Sequence, residues 1–289
     1  MSPNLIIALT MCIYGTIGVF RRMVPFPSQL VALLRGVIGF IVLLLYKKLR
    51  HQRFDLASIK PSLLPLCISG ICLGLNWVLL FEAYNYTSVA VATLCYYFAP
   101  TFMILASPFL LKEKLNARKL ICVAVSLLGI AFVSGVLESG FELSEIKGVL
   151  LGIAAALLYA GIVYTNKLIK NVDPIDRTAL QLTTSSIALL PYVLFVCKGT
   201  ELEYSPLSII IMLIMGVVHT GIAYALYFSA LPKVKMQTAA LLSYIDPVLA
   251  VFLSALLLKE PMTIWQGIGA VLILGSAIVS EITPKRTKN

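Results

Sequence analysis

Long apolar blocks separated by short polar turns run along the whole chain. The blocks fall at roughly 4–22, 28–46, 61–82, 88–111, 117–136, 147–168, 175–197, 206–229, 235–258 and 263–282. Each is close to the ~20 residues that a helix needs to cross ~30 Å of hydrocarbon. Short strands of alternating polarity, which are typical of outer-membrane barrels, do not appear in this pattern. The sequence therefore predicts an all-α integral membrane protein with ten transmembrane helices.

Composition and charge agree with a chain that has lipid as its solvent. Of the 289 residues, 60% are hydrophobic and 12% are charged, which is too few charged residues to cover a soluble domain of this size. The first block has no basic region before it and no small-residue cleavage site after it. We therefore expect a retained helix and not a signal peptide.

The net charge of +10 comes from basic residues that are distributed unequally between the two predicted sides of the membrane. It does not indicate a nucleic-acid partner. Most of the 23 lysines and arginines lie in alternate connections between the blocks, including the basic tail 284–289. This asymmetry is the positive-inside pattern of membrane proteins. It predicts a multi-pass protein of the cell (inner) membrane with both termini in the cytoplasm.

The second half of the chain repeats part of the first. With a shift of 147 positions, 74–113 aligns with 221–260 without a gap, and 13 of 40 positions are identical. The matches include Tyr97 with Tyr244 and Pro100 with Pro247. A weaker match at a shift of 145 pairs Tyr14 with Tyr159. We therefore predict two five-helix repeats, at 1–140 and 147–283.

Five crossings is an odd number, so the second repeat is predicted to enter the membrane from the opposite side. Inverted repeats place a substrate site near the middle of the membrane, where the two halves meet. Halves of nearly equivalent shape can exchange inward-facing and outward-facing conformations. This is the geometry that alternating access requires, and it favours a transporter with a central cavity.

The repeated stretches resemble a known family of membrane proteins. In each half a proline-bearing fourth helix ends in Lys-Glu and is followed by a glycine-containing fifth helix, at Tyr97–Glu113 with Gly129 and at Tyr244–Glu260 with Gly275. These features, over essentially the whole chain, are similar to the EamA family of the drug/metabolite transporter superfamily. The resemblance implies ten helices, of which 1–4 and 6–9 surround a central cavity and 5 and 10 pack outside. Its members move amino acids, nucleobases, quaternary amines and other small compounds.

Ionisable side chains inside the membrane are costly and mark candidate functional positions. Three lie near the middle of predicted helices, Arg35, His219 and Asp246, and Glu82 lies nearer the outer end of its helix. Asp246 precedes Pro247, which leaves the Ser243 carbonyl without its helical donor. The carboxylate could bind a cationic substrate, exchange protons, or form a structural ion pair with Arg35.

The other ionisable groups also have two interpretations. His219 could relay protons near neutral pH or form a hydrogen bond between helices. Arg35 could bind a substrate carboxylate with two parallel hydrogen bonds, or neutralise Asp246 or Glu82. Glu82 is expected to act at a gate or at the surface. The dipeptide Lys259-Glu260 is expected to form a local ion pair at the membrane boundary.

Aromatic and amide side chains form a second group of candidates. Rings near a central cavity can stack on a planar ligand or surround a quaternary ammonium group by cation–π attraction, although rings in helices also serve ordinary packing and interfacial belts. The predicted substrate-binding residues are Tyr14, Asn76, Trp77, Tyr96, Tyr97, Tyr159, Gln181, Tyr224, Tyr244 and Asp246. Pro100 and Pro247 are the predicted hinges.

Three classes of function are compatible with a chain of this kind. A secondary transporter of an amino acid or amine is favoured, with a nucleobase, organic acid or drug as alternative substrates. The phosphate-binding motif of ATP-driven proteins and the motifs of membrane hydrolases are missing, so we expect no enzyme activity, catalytic residue, metal or cofactor. A channel remains the third class. The expected partners are a small-molecule substrate, protons and the lipid bilayer, with the protein acting as a monomer or homodimer.

Overall fold

A computed structural model describes most of the chain. The described residues are 1–110, 117–133, 143–169, 171–198, 205–234 and 242–281. Throughout these ranges the regular secondary structure is helical. The prediction of an all-α fold is confirmed for this part of the chain.

Fourteen α-helices occur in the described residues. They are α1 Pro3–Gly15, α2 Ile17–Arg22, α3 Ser28–Leu49, α4 Leu56–Ile59, α5 Leu63–Ala83, α6 Val89–Tyr96, α7 Ala99–Leu110, α8 Ala117–Val133, α9 Leu143–Leu168, α10 Pro174–Val196, α11 Pro206–Gly216, α12 Ala223–Ala230, α13 Ile245–Leu257 and α14 Ile264–Glu281. A π-helical segment, Val217–Ile222, joins α11 to α12, and 3₁₀ turns occur at Lys60–Ser62 and Leu231–Lys233.

Membrane-spanning capacity follows from helix length and composition. Six helical segments in the described residues are long and apolar enough to cross a membrane, and four shorter apolar helices accompany them. Each of these segments overlaps a different one of the ten predicted apolar blocks. Large apolar side chains such as Leu128, Ile187 and Phe195 are more than half exposed, as expected for surfaces that face acyl chains rather than water.

Four of the predicted continuous helices are interrupted within the described residues, and the ninth is one of them, with a turn at Tyr244 before α13. The first is divided at Thr16, between α1 and α2, and the fourth is divided at Tyr97–Phe98, between α6 and α7. The eighth changes to π-helical geometry in Val217–Ile222. The apolar pattern predicts none of these breaks. The length of an apolar block indicates that the segment lies in lipid, but it does not indicate where the helical backbone is interrupted.

The two predicted hinge prolines lie at helix starts. Pro100 is the second residue of α7 and Pro247 is the third residue of α13. In the first turn of a helix an N–H group has no intrahelical acceptor, so proline is tolerated there. The breaks that precede α7 and α13 therefore replace the mid-helix kink that the sequence suggests at Pro247.

Packing between the helices brings distant parts of the chain together. α5 packs against α9 and α10, α3 packs against α10 and the π-helical segment, and α1 packs against α12 and α13. α6 lies between α9 and α13. Close approach of α9 to α6 needs Gly152, because a Cβ there would lie 2.9 Å from the Cβ of Cys95.

α8 and α14 form a separate pair. They pack mainly on each other, and α6 and α7 supply further contacts. A Cβ added to Gly269 would lie 2.6 Å from the Gly129 carbonyl oxygen, so the two backbones nearly touch. A hydrogen bond of 2.6 Å between the hydroxyls of Ser126 and Ser276 crosses the same contact.

A buried ion pair connects the end of α3 to the start of α10. Lys47 Nζ bonds to Asp176 Oδ1, and both side chains are almost fully buried. The second carboxylate oxygen of Asp176 accepts the Asp55 amide at 3.0 Å. Lys47 Nζ also lies 4.7 Å from the centre of the Phe54 ring. The pair holds these two helices and the loop after α3 together.

We expect Asp176→Ala to destabilise the protein by roughly 3–5 kcal/mol, because removing one partner leaves the other charge buried without compensation. Thermal unfolding of the purified protein in detergent measures the effect. Asp173→Asn is the matched control, since Asp173 is the exposed N-cap of α10 and asparagine caps helices equally well. Equal unfolding temperatures for the two variants would contradict the expectation.

Candidate functional site

Asp246 lies where two interrupted helices meet. It is in the first turn of α13, and its Oδ2 accepts a hydrogen bond of 2.6 Å from the hydroxyl of Tyr97, which lies in the break between α6 and α7. The same hydroxyl is 3.3 Å from the Ser243 carbonyl oxygen, which is the carbonyl that Pro247 deprives of a helical donor. Both Asp246 and Tyr97 are half-buried. A carboxylate, a hydroxyl and a carbonyl oxygen therefore meet at one point inside the bundle.

Five of the predicted tyrosines surround this point or lie beside it. The Tyr96 ring lies 5.9 Å from the Tyr97 ring and 5.4 Å from the Tyr159 ring, and the Tyr97 ring lies 6.4 Å from that of Tyr244. Tyr96 is also within electrostatic reach of Asp246 and Tyr224. The structure thus brings together side chains from α6, α9, α12 and α13 that the sequence proposed separately.

A second aromatic group extends this cluster toward α3. The Tyr224 ring packs edge-on against Tyr14 at 6.0 Å and lies 6.5 Å from Trp77. Trp77 in turn lies under the guanidinium group of Arg35, with 4.5 Å between Cζ and the ring centre. Tyr224 is within electrostatic reach of Tyr96 and Tyr159, which links the two groups of rings. We call the two groups together the aromatic band.

Arg35 is not paired with the carboxylates that the sequence offered as partners. Among the described residues the ion pairs are Arg22 with Glu260 and Lys47 with Asp176. Arg35 is 3% exposed, donates from Nε to Thr220 Oγ1 at 3.1 Å, and lies over the rings of Trp77 and Phe81. Its position on α3 directs it at α5 and the π-helical segment rather than at α13.

His219 contacts the break between α1 and α2. Its Nε2 is 2.8 Å from Thr16 Oγ1, its Nδ1 is 3.5 Å from the Ile214 carbonyl oxygen, and its ring packs edge-on against Phe20 at 4.9 Å. The adjacent Thr220 hydroxyl donates to the Met215 carbonyl, five residues earlier. These contacts supply polar partners for the backbone where regular α-helical bonding is interrupted. A proton-relay role for His219 stays a prediction.

The two predicted amide ligands lie in helix interfaces. Asn76 Nδ2 donates to the Ala155 carbonyl at 2.6 Å, and Gln181 Nε2 donates to Ser69 Oγ at 2.7 Å and to Asn166 Oδ1 at 2.9 Å. Both side chains are almost fully buried. Their contacts join α5, α9 and α10, and a substrate-binding role for either stays a prediction.

Glu82 lies at the end of α5, beside a polar opening of the bundle. Its Oε2 accepts a hydrogen bond of 3.1 Å from Asn85 Nδ2. A cavity of about 440 Å³ is lined there by Glu82, Asn85, Arg21, Arg22 and the turn 24–29. A role of Glu82 at a gate or at the surface stays a prediction.

A hydrogen-bonded network joins the end of α2 to the start of α6 and to the turn after α13. Arg22 Nη2 donates to Glu260 Oε1 and to the Thr87 carbonyl, each at 2.9 Å. Glu260 Oε2 accepts the Val89 amide at 2.8 Å and the Ser254 hydroxyl at 2.5 Å. We call these five residues the Arg22–Glu260 network.

Glu260 does not pair with its neighbour Lys259, as the sequence suggested, but with Arg22. Lys259 is exposed and has a left-handed backbone conformation with φ of 54°. The chain therefore turns back, and the Glu260 amide bonds to the Ser254 carbonyl at 3.3 Å. The sequence contained a signal for the pairing of Arg22 with Glu260. The two residues lie at the ends of predicted apolar blocks, and the charge pattern places both ends on the same side of the membrane.

An apolar cavity of about 430 Å³ lies on the flank of α1 and α13. Its lining is Cys12, Tyr244, Ile245, Val248, Leu249 and Phe252. Tyr244 is the one predicted site residue in this lining. In the part of the chain that the structure describes, no group of three His, Cys, Asp or Glu side chains is placed to hold a metal ion.

Comparison with known proteins connects this architecture to transporters. The model of the EamA-like transporter family matches residues 1–135 and 146–281. A protein of Bacillus subtilis (strain 168) named uncharacterized transporter YxxF is 28% identical over 280 residues, which cover 95% of this chain and 88% of that protein. An Archaeoglobus fulgidus protein named uncharacterized transporter is 28% identical over 275 residues, 95% of this chain and 94% of its own length.

A solved crystal structure shows the same fold. It superimposes with a TM-score of 0.66 at 22% sequence identity, and the match covers 96% of both chains. The apolar helices, the matched family model and these relatives lead to one conclusion. The chain is a multi-pass membrane protein that belongs to the EamA-like transporter family of the drug/metabolite transporter superfamily.

Proposed function

We propose that this protein is a secondary transporter that carries an amino acid or amine across the cell membrane by alternating access, with both termini in the cytoplasm. The observation that carries the proposal is the hydrogen bond between Asp246 and Tyr97 at two helix breaks within the aromatic band. A carboxylate within an apolar bundle is costly unless it is paired or used. Tyrosine faces around it supply cation–π attraction for an ammonium group.

Inverted repeats are part of the proposal, and the helix contacts support them. The opening helix of the first half, α1, packs on α12 and α13, and the opening helix of the second half, α9, packs on α5, α6 and α7. α3 packs on α10, and α8 packs on α14. Exchanging the two predicted halves leaves this pattern unchanged, as a two-fold axis in the membrane plane requires.

In this conformation the end of the bundle at α2 and α6 is held together by the Arg22–Glu260 network. The positive-inside pattern assigns this end to the outer side of the membrane. The network joins α2 and α6 of the first half to the turn after α13 of the second half. Outward opening therefore requires its bonds to Glu260 to separate, and we propose that the network is the outer gate.

Counterflow in proteoliposomes tests the transport function. Vesicles loaded with unlabelled amino acids or amines are diluted into a trace of the same labelled compound. A carrier gives a transient, saturable accumulation of label that depends on the internal compound. A channel instead gives equilibration without overshoot, and an enzyme gives a changed product. Absence of counterflow for every amino acid and amine would reject the proposed substrates.

A further inference from the structure

The connection between α3 and α5 carries a cluster of exposed positive charge. Its exposed cations are Lys48, Arg50, Arg53 and Lys60, and we call residues 48–60 the basic loop. The loop contains one acidic residue, Asp55, whose carboxylate accepts amide hydrogens at the N-terminus of α4. The ion pairs found within the described ranges of the chain lie outside the loop. No carboxylate of those ranges therefore pairs with the four cations.

Hydrogen bonds fix the basic loop against the end of α3. The Gln52 amide donates to the Lys47 carbonyl at 2.9 Å, so the chain turns back onto the helix. The Asp55 amide donates to Oδ2 of the buried Asp176 at 3.0 Å. Arg53 lies between these two bonded residues, and the other cations of the loop lie within five residues of one of them. The four charges therefore belong to one fixed surface and not to a free tail.

Exposed apolar side chains lie among these cations. Leu49 is 80% exposed and Leu56 is 72% exposed. Ile59, on the same short helix as Leu56, is instead buried against Leu66 and Ile169. α4 thus packs one apolar side chain into the bundle and turns another away from it. Large apolar side chains next to cations suit the boundary between lipid headgroups and acyl chains better than they suit water.

The basic loop lies at one end of the membrane-spanning part of the bundle. It joins two helical segments that are each long and apolar enough to cross a membrane, Ser28–Leu49 and Leu56–Ala83. The positive-inside pattern assigns this end to the cytoplasmic side. A cluster of four or more lysines and arginines next to such a helix favours binding of anionic lipid headgroups, which give the cytoplasmic leaflet its negative surface potential.

We propose that the basic loop is a docking surface for anionic phospholipid headgroups of the cytoplasmic leaflet. The four cations attract the phosphate diesters, and Leu49 and Leu56 enter the boundary between headgroups and acyl chains. A nucleic acid or an acidic peptide would match the charge of the loop but would leave the two leucines in water. The inference goes beyond the proposed transport function and does not depend on the transported compound.

Lipids that differ in charge test the inference on the unaltered protein. Native mass spectrometry of the purified full-length protein in neutral detergent measures the affinity for phosphatidylglycerol and for phosphatidylcholine with the same acyl chains. We expect phosphatidylglycerol to bind ~10-fold or more tightly, because each cation near a membrane surface contributes about 5-fold through its attraction to anionic lipid. Equal affinity for the two lipids would overturn the inference.

A pair of substitutions locates the surface. Lys48→Gln/Lys60→Gln removes two charges of the basic loop and should weaken phosphatidylglycerol binding roughly 25-fold. Lys198→Gln/Lys259→Gln is the matched control, because it removes two exposed lysines that lie away from the loop. Thermal unfolding establishes that each variant is folded. An equal loss of affinity in the control pair would show an effect of net charge alone and would overturn the inference.

A second pair and two soluble probes separate the remaining alternatives. Arg50→Gln/Arg53→Gln should give a loss of similar size, and unchanged affinity in this pair would reject the shared surface. Glycerol 1-phosphate, which has the phosphate without acyl chains, should not compete at concentrations at which phosphatidylglycerol saturates the protein. Competition at these concentrations would indicate a site for free phosphate. Tighter binding of polyglutamate than of phosphatidylglycerol would indicate an acidic protein partner, and either result would overturn the inference.

Discussion

Asp246→Asn is expected to reduce counterflow by up to ~100-fold while the protein remains folded. The substitution keeps the shape of the side chain and an oxygen for the Tyr97 hydroxyl but removes the negative charge. Loss of a charged hydrogen-bonding partner costs up to about 3 kcal/mol, which corresponds to roughly 100-fold in affinity. Initial rates in proteoliposomes, with thermal unfolding as the test of folding, measure the effect.

The same variant separates substrate binding from proton coupling. If Asp246 carries a proton during the cycle, Asp246→Asn should also abolish the response of uptake to an imposed pH gradient. Tyr97→Phe removes the donor to Asp246 and should give a smaller reduction, of roughly 10-fold. Asp55→Asn is the control, because Asp55 is an exposed N-cap. If the Asp246→Asn variant took up substrate in response to a pH gradient at the parental rate, the coupling role would be rejected.

Glu260→Gln is expected to shift the protein toward an outward-open conformation. The substitution removes the charge that holds Arg22 and weakens the bond from the Val89 amide. Loss of about 1.5 kcal/mol corresponds to a roughly 10-fold change in the populations of two conformations. The readout is a single cysteine at position 93 in a background without the native cysteines. Thr93 is buried on α6, one turn beyond Val89.

A membrane-impermeant thiol reagent applied from the outside should label this cysteine roughly 10 times faster in Glu260→Gln than in the parent. Lys259→Gln is the matched control, since it changes the adjacent exposed charge without touching the Arg22–Glu260 network. Labelling rates that are equal in Glu260→Gln and Lys259→Gln would contradict the gate. An equal rise in both variants would indicate a general effect of surface charge.

The helical class of this fold is predictable from local pattern, because a backbone in lipid must satisfy its own hydrogen bonds. The repeat identifies Tyr97 and Tyr244 as equivalent positions, and their rings lie 6.4 Å apart. It does not predict which rings of the two halves contact each other. Tyr14 and Tyr159 are repeat-related, yet Tyr14 packs on Tyr224 and Tyr159 packs on Tyr96.

Features that depend on contacts between distant segments could not be predicted from the local sequence pattern. The break at Thr16 is accompanied by a hydrogen bond to His219, 203 residues later, and no local pattern encodes that partner. The pairing of Arg22 with Glu260 depends on the left-handed turn at Lys259. A charge inside an apolar helix suggests an ion pair, but the aromatic surroundings of Arg35 depend on where α5 and the π-helical segment pack.

The contact between α8 and α14 has a mechanical consequence for the whole molecule. α8 falls in the first segment that the family model matches and α14 in the second. With the backbones of Gly129 and Gly269 nearly touching, even a Cβ at Gly269 would lie 2.6 Å from the Gly129 carbonyl oxygen, so a slide that brings a side chain into the contact produces a clash. In the transport cycle that we propose, this contact would be the fixed point about which one half tilts, widening one mouth of the molecule while narrowing the other.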